Sequence, residues 1–526
     1  MSWNAARLIG LTALLLSRPA TAMPESEEDR LLVEQAWIAT SELRLADASE
    51  ALERIKPRWE RDPDVQKTHA LLAYQLGNYD EALKHASASL QARPGDPEVI
   101  ELRTLFSSTA TTTSSFVSKT STNGRFQVSH KPGSSALLVP YALEAMQSAD
   151  RMLSDLFGTH IEGPIRLEIY ESPSVLASVS SLTEEAILRT GTIALCKWNR
   201  LMVTSPRALL RGYPWMDTIA HEYVHLILSH LSRDRAPVWF QEGVAKFLER
   251  TWRGEPPAAR LDPAAEALLH AASRGDRLIA FSALHPSIAL LPSQEDAALA
   301  FAQVATFIEG FYERHQSAGL REAVVRIAEG QDARQALAAV AKRSWHALER
   351  RWRERIRRFS DASPGRTPRL LPRRFRLNTA AADETSDIEV RRAARFVRIG
   401  DMLWSRSRPA AAAIEYEKAL ELAPSDPIVA SRMARAAIAG GNPARAMRAA
   451  ERVHSLYPEH APSWSVLAQA QLALGRLTSA RESAREAIRL NPFDPGPHCT
   501  LAESGSSPQE RQREQQNCLR LRENAR

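Results

Sequence analysis

The sequence predicts an α+β domain set between two all-α repeat segments. Three observations carry that expectation. A spacing of 34 residues recurs near both ends of the chain. Runs that alternate or stay apolar, as strands do, are confined to the middle. One apolar helix in that middle also carries His221, Glu222 and His225. At 526 residues the chain is long enough for about three domains, each with its own core.

The first 22 residues read as a secretory signal. Arg7 gives a charged start, Leu8 to Leu16 an apolar core, and Ala20-Thr21-Ala22 an A-x-A site, so cleavage is expected after Ala22. The apolar run is too short to span a bilayer as a helix. No later segment has 18 consecutive apolar residues, so no transmembrane segment is expected after cleavage. The mature chain is expected in a bacterial periplasm or secreted.

Residues 30–106 hold the first repeats. Ala70, Leu76, Gly77, Tyr79, Ala82, Leu83 and Ala86 form a helical-pair pattern, and Asp62-Pro63 returns 34 residues later as Asp96-Pro97. Residues 107–123 are rich in Ser and Thr, nearly free of apolar side chains, and read as a flexible linker. Residues 124–359 follow as the α+β domain. Arg125 to His130 and Ile165 to Tyr170 read as strands, and Val139 to Phe157 between them is helical in period. Thr192 to Cys196 and Arg200 to Thr204 form a hairpin around Trp198-Asn199.

His221-Glu222-Tyr223-Val224-His225 lies in a helix made apolar on most sides by Trp215, Met216, Ile219, Ala220, Val224, Leu226, Ile227 and Leu228. Residues four apart on a helix share a face, so both imidazoles can reach one zinc ion, with Glu222 beside the metal's open position. A core helix does not carry two histidines and a glutamate without partners or a metal. A short loop then leads to a second helix near Trp239, which carries Glu242 in its first turn. Read alone, Glu242 is a carboxylate favouring a helix N-terminus.

Together, "IAHEYVHLIL" and "APVWFQEGVAKFLE" resemble the gluzincin metallopeptidases, in particular the bacterial peptidase-MA-like group, over roughly Gly124 to Arg358. The resemblance implies a zincin-like fold with His221, His225 and Glu242 as ligands of Zn2+ and Glu222 as general base. Glu249 is a rival ligand two turns further on. It also implies a strand that holds extended substrate by edge pairing, for which Arg200 to Thr204 is the candidate. Related sequences carry a Tyr-x-Gln pattern in a later helix where this chain reads Phe301-Ala302-Gln303. Phenylalanine cannot donate a hydrogen bond to an oxyanion. Asp217, one turn before His221, is a candidate partner for a ligand imidazole, or else a carboxylate near the helix start.

Residues 360–388 carry Pro364, Pro368 and Pro372 and read as an irregular connector. In residues 389–526, Pro424, Pro458 and Pro492 are spaced 34 apart, with small residues where paired helices pack. This pattern and the N-terminal one resemble tetratricopeptide repeats: two from about 30 to 98, three from about 391 to 493, then a capping helix. Such solenoids imply protein or peptide partners, the C-terminal three being the better candidates. Of the three cysteines, Cys499 and Cys518 can pair in an oxidising compartment, leaving Cys196.

The formal net charge is +6, with the densest basic cluster at Arg350 to Arg358. A solvated helix face explains that cluster, and no nucleic-acid partner is expected of an exported protein. The function expected is an exported zinc metallopeptidase acting on a peptide or protein substrate. The alternative is a weak or inactive peptidase-like domain in a repeat scaffold that binds protein.

Overall fold

The computed structural model describes residues 27–284, 287–360, 368–376 and 384–523. The expected signal at 1–22 lies outside the described residues. The chain divides into two units, the first built from residues 1–204, 218–260 and 272–362 and the second from 205–217, 261–271 and 363–526.

The first unit opens with helices α1 (Glu27–Ser41), α2 (Leu45–Glu53), α3 (Pro63–Leu76), α4 (Tyr79–Ala92) and α5 (Pro97–Thr113). The recurring Asp-Pro pair has a local cause. Asp62 accepts from the amides of Asp64 and Val65, Asp96 from those of Glu98 and Val99, and each following proline takes the first helical position, where no N–H is needed. The expected linker at 107–123 is instead the end of α5 and a strand, β1 (Val117–Thr120). The Thr104, Thr109 and Thr113 hydroxyls bond back to carbonyls four residues earlier, so a Thr-rich run stays helical. Phe106 and Thr109 are buried, and Thr109 bonds the Tyr74 hydroxyl at 2.8 Å.

Then come β2 (Phe126–His130), α6 (Val139–Phe157), β3 (Ile165–Tyr170), α7 (Pro173–Ser178), α8 (Glu184–Thr190), β4 (Ala194–Lys197) and β5 (Arg200–Thr204). The sheet order is β1-β2-β3-β5-β4. β2, β3 and β5 run parallel, while β1 and β4 are antiparallel edges. β3 and β5 are buried along their whole length. The candidate substrate strand therefore needs correction: Arg200–Thr204 is paired on both sides, and the open edge belongs to β4.

Helices α9 (Trp215–Ser232), α10 (Val238–Leu248), α11 (Pro263–Arg274), α12 (Gln294–Ala328, interrupted at Gln316), α13 (Ala333–Ala341) and α14 (Trp345–Ser360) follow. On α14, Trp352 and Ile356 are buried while Arg350, Arg351, Arg357 and Arg358 face solvent, as an amphipathic basic helix requires.

The second unit is all-helical: α15 (Arg391–Ser405), α16 (Pro409–Leu422), α17 (Pro427–Ala439), α18 (Pro443–His454), α19 (Ala461–Ala473), α20 (Leu477–Leu490), α21 (Pro495–Ser504) and α22 (Pro508–Glu523). Successive helices pair, and Gly400 shows why small residues recur: a Cβ there would lie 2.4 Å from the Tyr416 ring. The cap is a pair rather than one helix, with α21 and α22 joined by a Cys499–Cys518 disulfide. Within this unit residues 205–217 are fastened to the repeats. Leu209 bridges Phe375, Arg211 meets Asp387 at 2.8 Å, and the Trp215 indole donates to the Ile488 carbonyl at 3.1 Å.

Candidate metal centre

α9 carries His221 and His225 one turn apart, and α10 brings Glu242 to both. Glu242 Oε2 lies 3.1 Å from His221 Nε2 and 3.3 Å from His225 Nε2, and the two Nε2 atoms are 3.2 Å apart. These three residues form the one group found among the described residues whose ligand atoms all lie within 4.8 Å of one another.

The sequence around Glu242 explains its placement. Trp239 packs edge-on against Phe240, Phe281, Phe307 and Trp345, with ring centroids 5.1 to 6.2 Å away, which anchors the first turn of α10. Gly243 lets α12 approach, since a Cβ there would meet Ile308 Cγ1 at 2.8 Å and the Val304 carbonyl at 2.9 Å. The Trp-x-x-Glu-Gly order thus reads as anchor, ligand candidate, close contact.

The outward ring nitrogens are also held. His221 Nδ1 lies 3.3 Å from Glu249 Oε2, and Lys246 bonds the other Glu249 oxygen at 2.5 Å. His225 Nδ1 lies 3.3 Å from Gln241 Oε1, while the Gln241 amide donates to the Ala236 carbonyl at 2.8 Å. Glu249 thus meets the His221 ring on its Nδ1 side, away from the Nε2 atoms that Glu242 joins. Only the spacing hinted at this: Glu249 lies seven residues, or two turns, after Glu242. Asp217, the other candidate partner of a ligand imidazole, is buried near the start of α9.

Electrostatics favour positive charge where these groups meet. Burial disfavours a charged His221, but its hydrogen bonds to Glu242 and Glu249 outweigh that and raise it to about 10. Burial likewise opposes charge on Glu242, yet His225 and His221 hold it well below the usual carboxylate range. Glu222 differs. Burial pushes it up to about 7, offset in part by His225 and His221. Its Oε2 is buried with no hydrogen-bond partner. Such an orphaned oxygen beside a ligand cluster is suited to a water or substrate proton.

Phe301 on α12 packs edge-on to His221, ring centroids 6.2 Å apart. Neither nearby tyrosine replaces a donor there. Tyr223 bonds Asp150 at 2.5 Å, which Arg125 also grips, and Tyr312 lies tilted against Phe247, ring centroids 5.0 Å apart. Cys196, on the edge strand, is half-buried, and burial followed by the Glu222 and Asp234 charges pushes its thiol up, so it is no ready nucleophile.

Residues 145–358 match the model of the Peptidase MA superfamily, and residues 431–495 that of the tetratricopeptide repeat. None of the curated proteins matches the chain. Among solved structures, the native yeast LTA4 hydrolase is 12% identical with a TM-score of 0.31, over 77% of this chain and 66% of that one. The first tetratricopeptide domain of human RPAP3 is 18% identical with a TM-score of 0.20, over 26% of this chain and 98% of that one.

Proposed function

Since this chain carries a Peptidase MA superfamily domain followed by tetratricopeptide repeats, we propose that it is an exported zinc-dependent metallopeptidase whose repeats recruit protein partners or substrate. One observation carries the reading. Two imidazole nitrogens and a carboxylate oxygen converge within 4.8 Å, beside a buried glutamate with an unpartnered oxygen. Two His nitrogens with one carboxylate suit zinc, which accepts such a set and leaves a position open.

When bound, zinc supplies Lewis-acid polarisation of a carbonyl and lowers the pKa of water toward neutrality. The chain's own groups do the rest. Glu222 Oε2 accepts the proton of the attacking water, and the carboxyl so formed can return it to the leaving amine nitrogen. Glu249 and Gln241 hold the imidazoles in the orientation their Nε2 atoms need. The open edge of β4 is the strand on which an extended peptide can pair.

Export is supported by the signal-like start and by the Cys499–Cys518 disulfide, which belongs in an oxidising compartment. Phe301 favours a second reading, in which the domain binds peptides and turns them over weakly or not at all, because it sets a ring without a hydroxyl beside His221. Zinc content of the purified protein, with cleavage of a peptide library by wild type and Glu222→Gln, separates the two. Stoichiometric zinc with Glu222-dependent cleavage supports the peptidase; zinc without it supports the binder.

A further inference from the structure

Apart from the metal centre, the first unit contains a second buried polar assembly. Arg200 of β5 is fully buried, with Glu168 of β3 at 3.3 Å, the Tyr74 hydroxyl at 2.7 Å and the Val179 carbonyl at 3.1 Å. The rings of Tyr74, Tyr79 and Trp198 surround its guanidinium at 4.8, 5.1 and 6.0 Å. Glu168 accepts from the Tyr79 and Tyr170 hydroxyls as well. Beside it, Arg166 donates to the Gln75 carbonyl, and reaches the Tyr79 hydroxyl and the Asn199 carbonyl at 3.3 Å each. Tyr74, Gln75 and Tyr79 come from α3 and α4 of the N-terminal helices and Val179 from the end of α7; the others come from the sheet and its β4–β5 turn. A buried ion pair adds little stability over apolar packing, so its use here lies in fixing a position.

That position is the β4–β5 turn. Trp198 and Asn199 both have positive φ, 52° and 56°, as a two-residue hairpin connection of the primed type needs. The Asn199 amide nitrogen donates to the Gln75 carbonyl at 3.3 Å, and its oxygen accepts from His230 Nε2 at 2.9 Å. His230 lies on α9, beyond His221 and His225, and burial pushes it down to about 4, so it donates as a neutral ring. One side chain thus ties together the repeats, the hairpin and the ligand helix. Gly77 marks how closely the repeat loop approaches: a Cβ there would fall 2.1 Å from Arg166 Nη1.

We propose that the N-terminal repeats are a working part of the substrate cradle, with the α3–α4 loop positioning edge strand β4 against the ligand helix through Asn199. The word substrate rests on the peptidase reading; the coupling rests on the contacts.

Two variants of the full-length protein test it. Asn199→Gly keeps a turn that tolerates positive φ and deletes both side-chain bonds. Tyr79→Phe removes one hydroxyl on the repeat side. Hydrogen exchange of peptides covering residues 194–204 is expected to quicken about tenfold in both, with metal content unchanged. Toward a peptide that the wild type cleaves, KM is expected to rise about tenfold with kcat nearly constant. Unchanged exchange in both variants overturns the proposal, and faster exchange in Asn199→Gly alone overturns the share given to the repeats. Faster exchange across the whole unit, or a fall in kcat at constant KM, also overturns it. A wild type without turnover refutes the peptidase reading and leaves the exchange result to decide the coupling.

Discussion

Among single residues, the proposed site divides into groups that would bind the metal, groups that orient the imidazoles and one that would move a proton, and each is expected to fail differently when replaced. Glu222→Gln is expected to keep stoichiometric zinc while lowering turnover by roughly two to four orders of magnitude, read by metal analysis beside a peptide assay. Glu249→Ala should weaken zinc affinity by about 10- to 100-fold, measured by chelator competition, because the His221 ring loses the carboxylate on its Nδ1. Phe301→Tyr is expected to raise kcat by roughly one to two orders, since it places a hydroxyl at the wall beside His221. The pair of histidines and its glutamate were legible from the spacing of four. Glu242 was legible only through the resemblance, since a first-turn carboxylate alone reads as helix-dipole chemistry. The separate parts of Glu242 and Glu249 were not legible, because two carboxylates seven apart share a helix face, and only packing of α10 decides which meets the Nε2 atoms and which an Nδ1.

Among elements, β2 to β5 were legible from alternating or apolar runs and the longer helices from their period, but β1 was not, and neither was the order of the strands. Strand order is a long-range property, so nothing local showed that β5 lies inside the sheet and β4 at its edge. The Ser/Thr-rich stretch misled for a different reason: its threonines satisfy their own hydroxyls on the helix backbone, which composition does not reveal. Gly243 is an element-scale constraint. Gly243→Ala should destabilise the first unit by about 1–3 kcal/mol through overpacking of α10 on α12, measured by denaturant unfolding. In the second unit, Asp387 holds Arg211 and Arg374. Burial works against its charge, but the Arg374 and Arg211 hydrogen bonds outweigh that and lower its pKa. A lowered folded pKa stabilises above the unfolded value and loses that stabilisation as pH falls through the folded one. Asp387→Asn should therefore cost about 3 kcal/mol at neutral pH, and the difference in thermal melts should shrink toward zero in strong acid.

For the whole molecule, a peptidase-like domain is carried in one chain with helical repeats. The C-terminal repeats were legible from their period of 34 residues, and the same Asp-Pro helix start recurs in the N-terminal helices at Asp62 and Asp96. Among the described residues no helix is long and apolar enough to cross a membrane. What the sequence could not convey is that the N-terminal repeats reach into the sheet through Arg166, Arg200 and Asn199, contacts that join residues far apart in the chain. The proposed function requires that His221, His225 and Glu242 hold one zinc ion. The most direct measurement is the zinc content of purified full-length protein, for wild type and for His225→Ala. One zinc per chain is expected in wild type, with most of it lost in the variant. Wild type without zinc, or a variant that retains it fully, would contradict the claim.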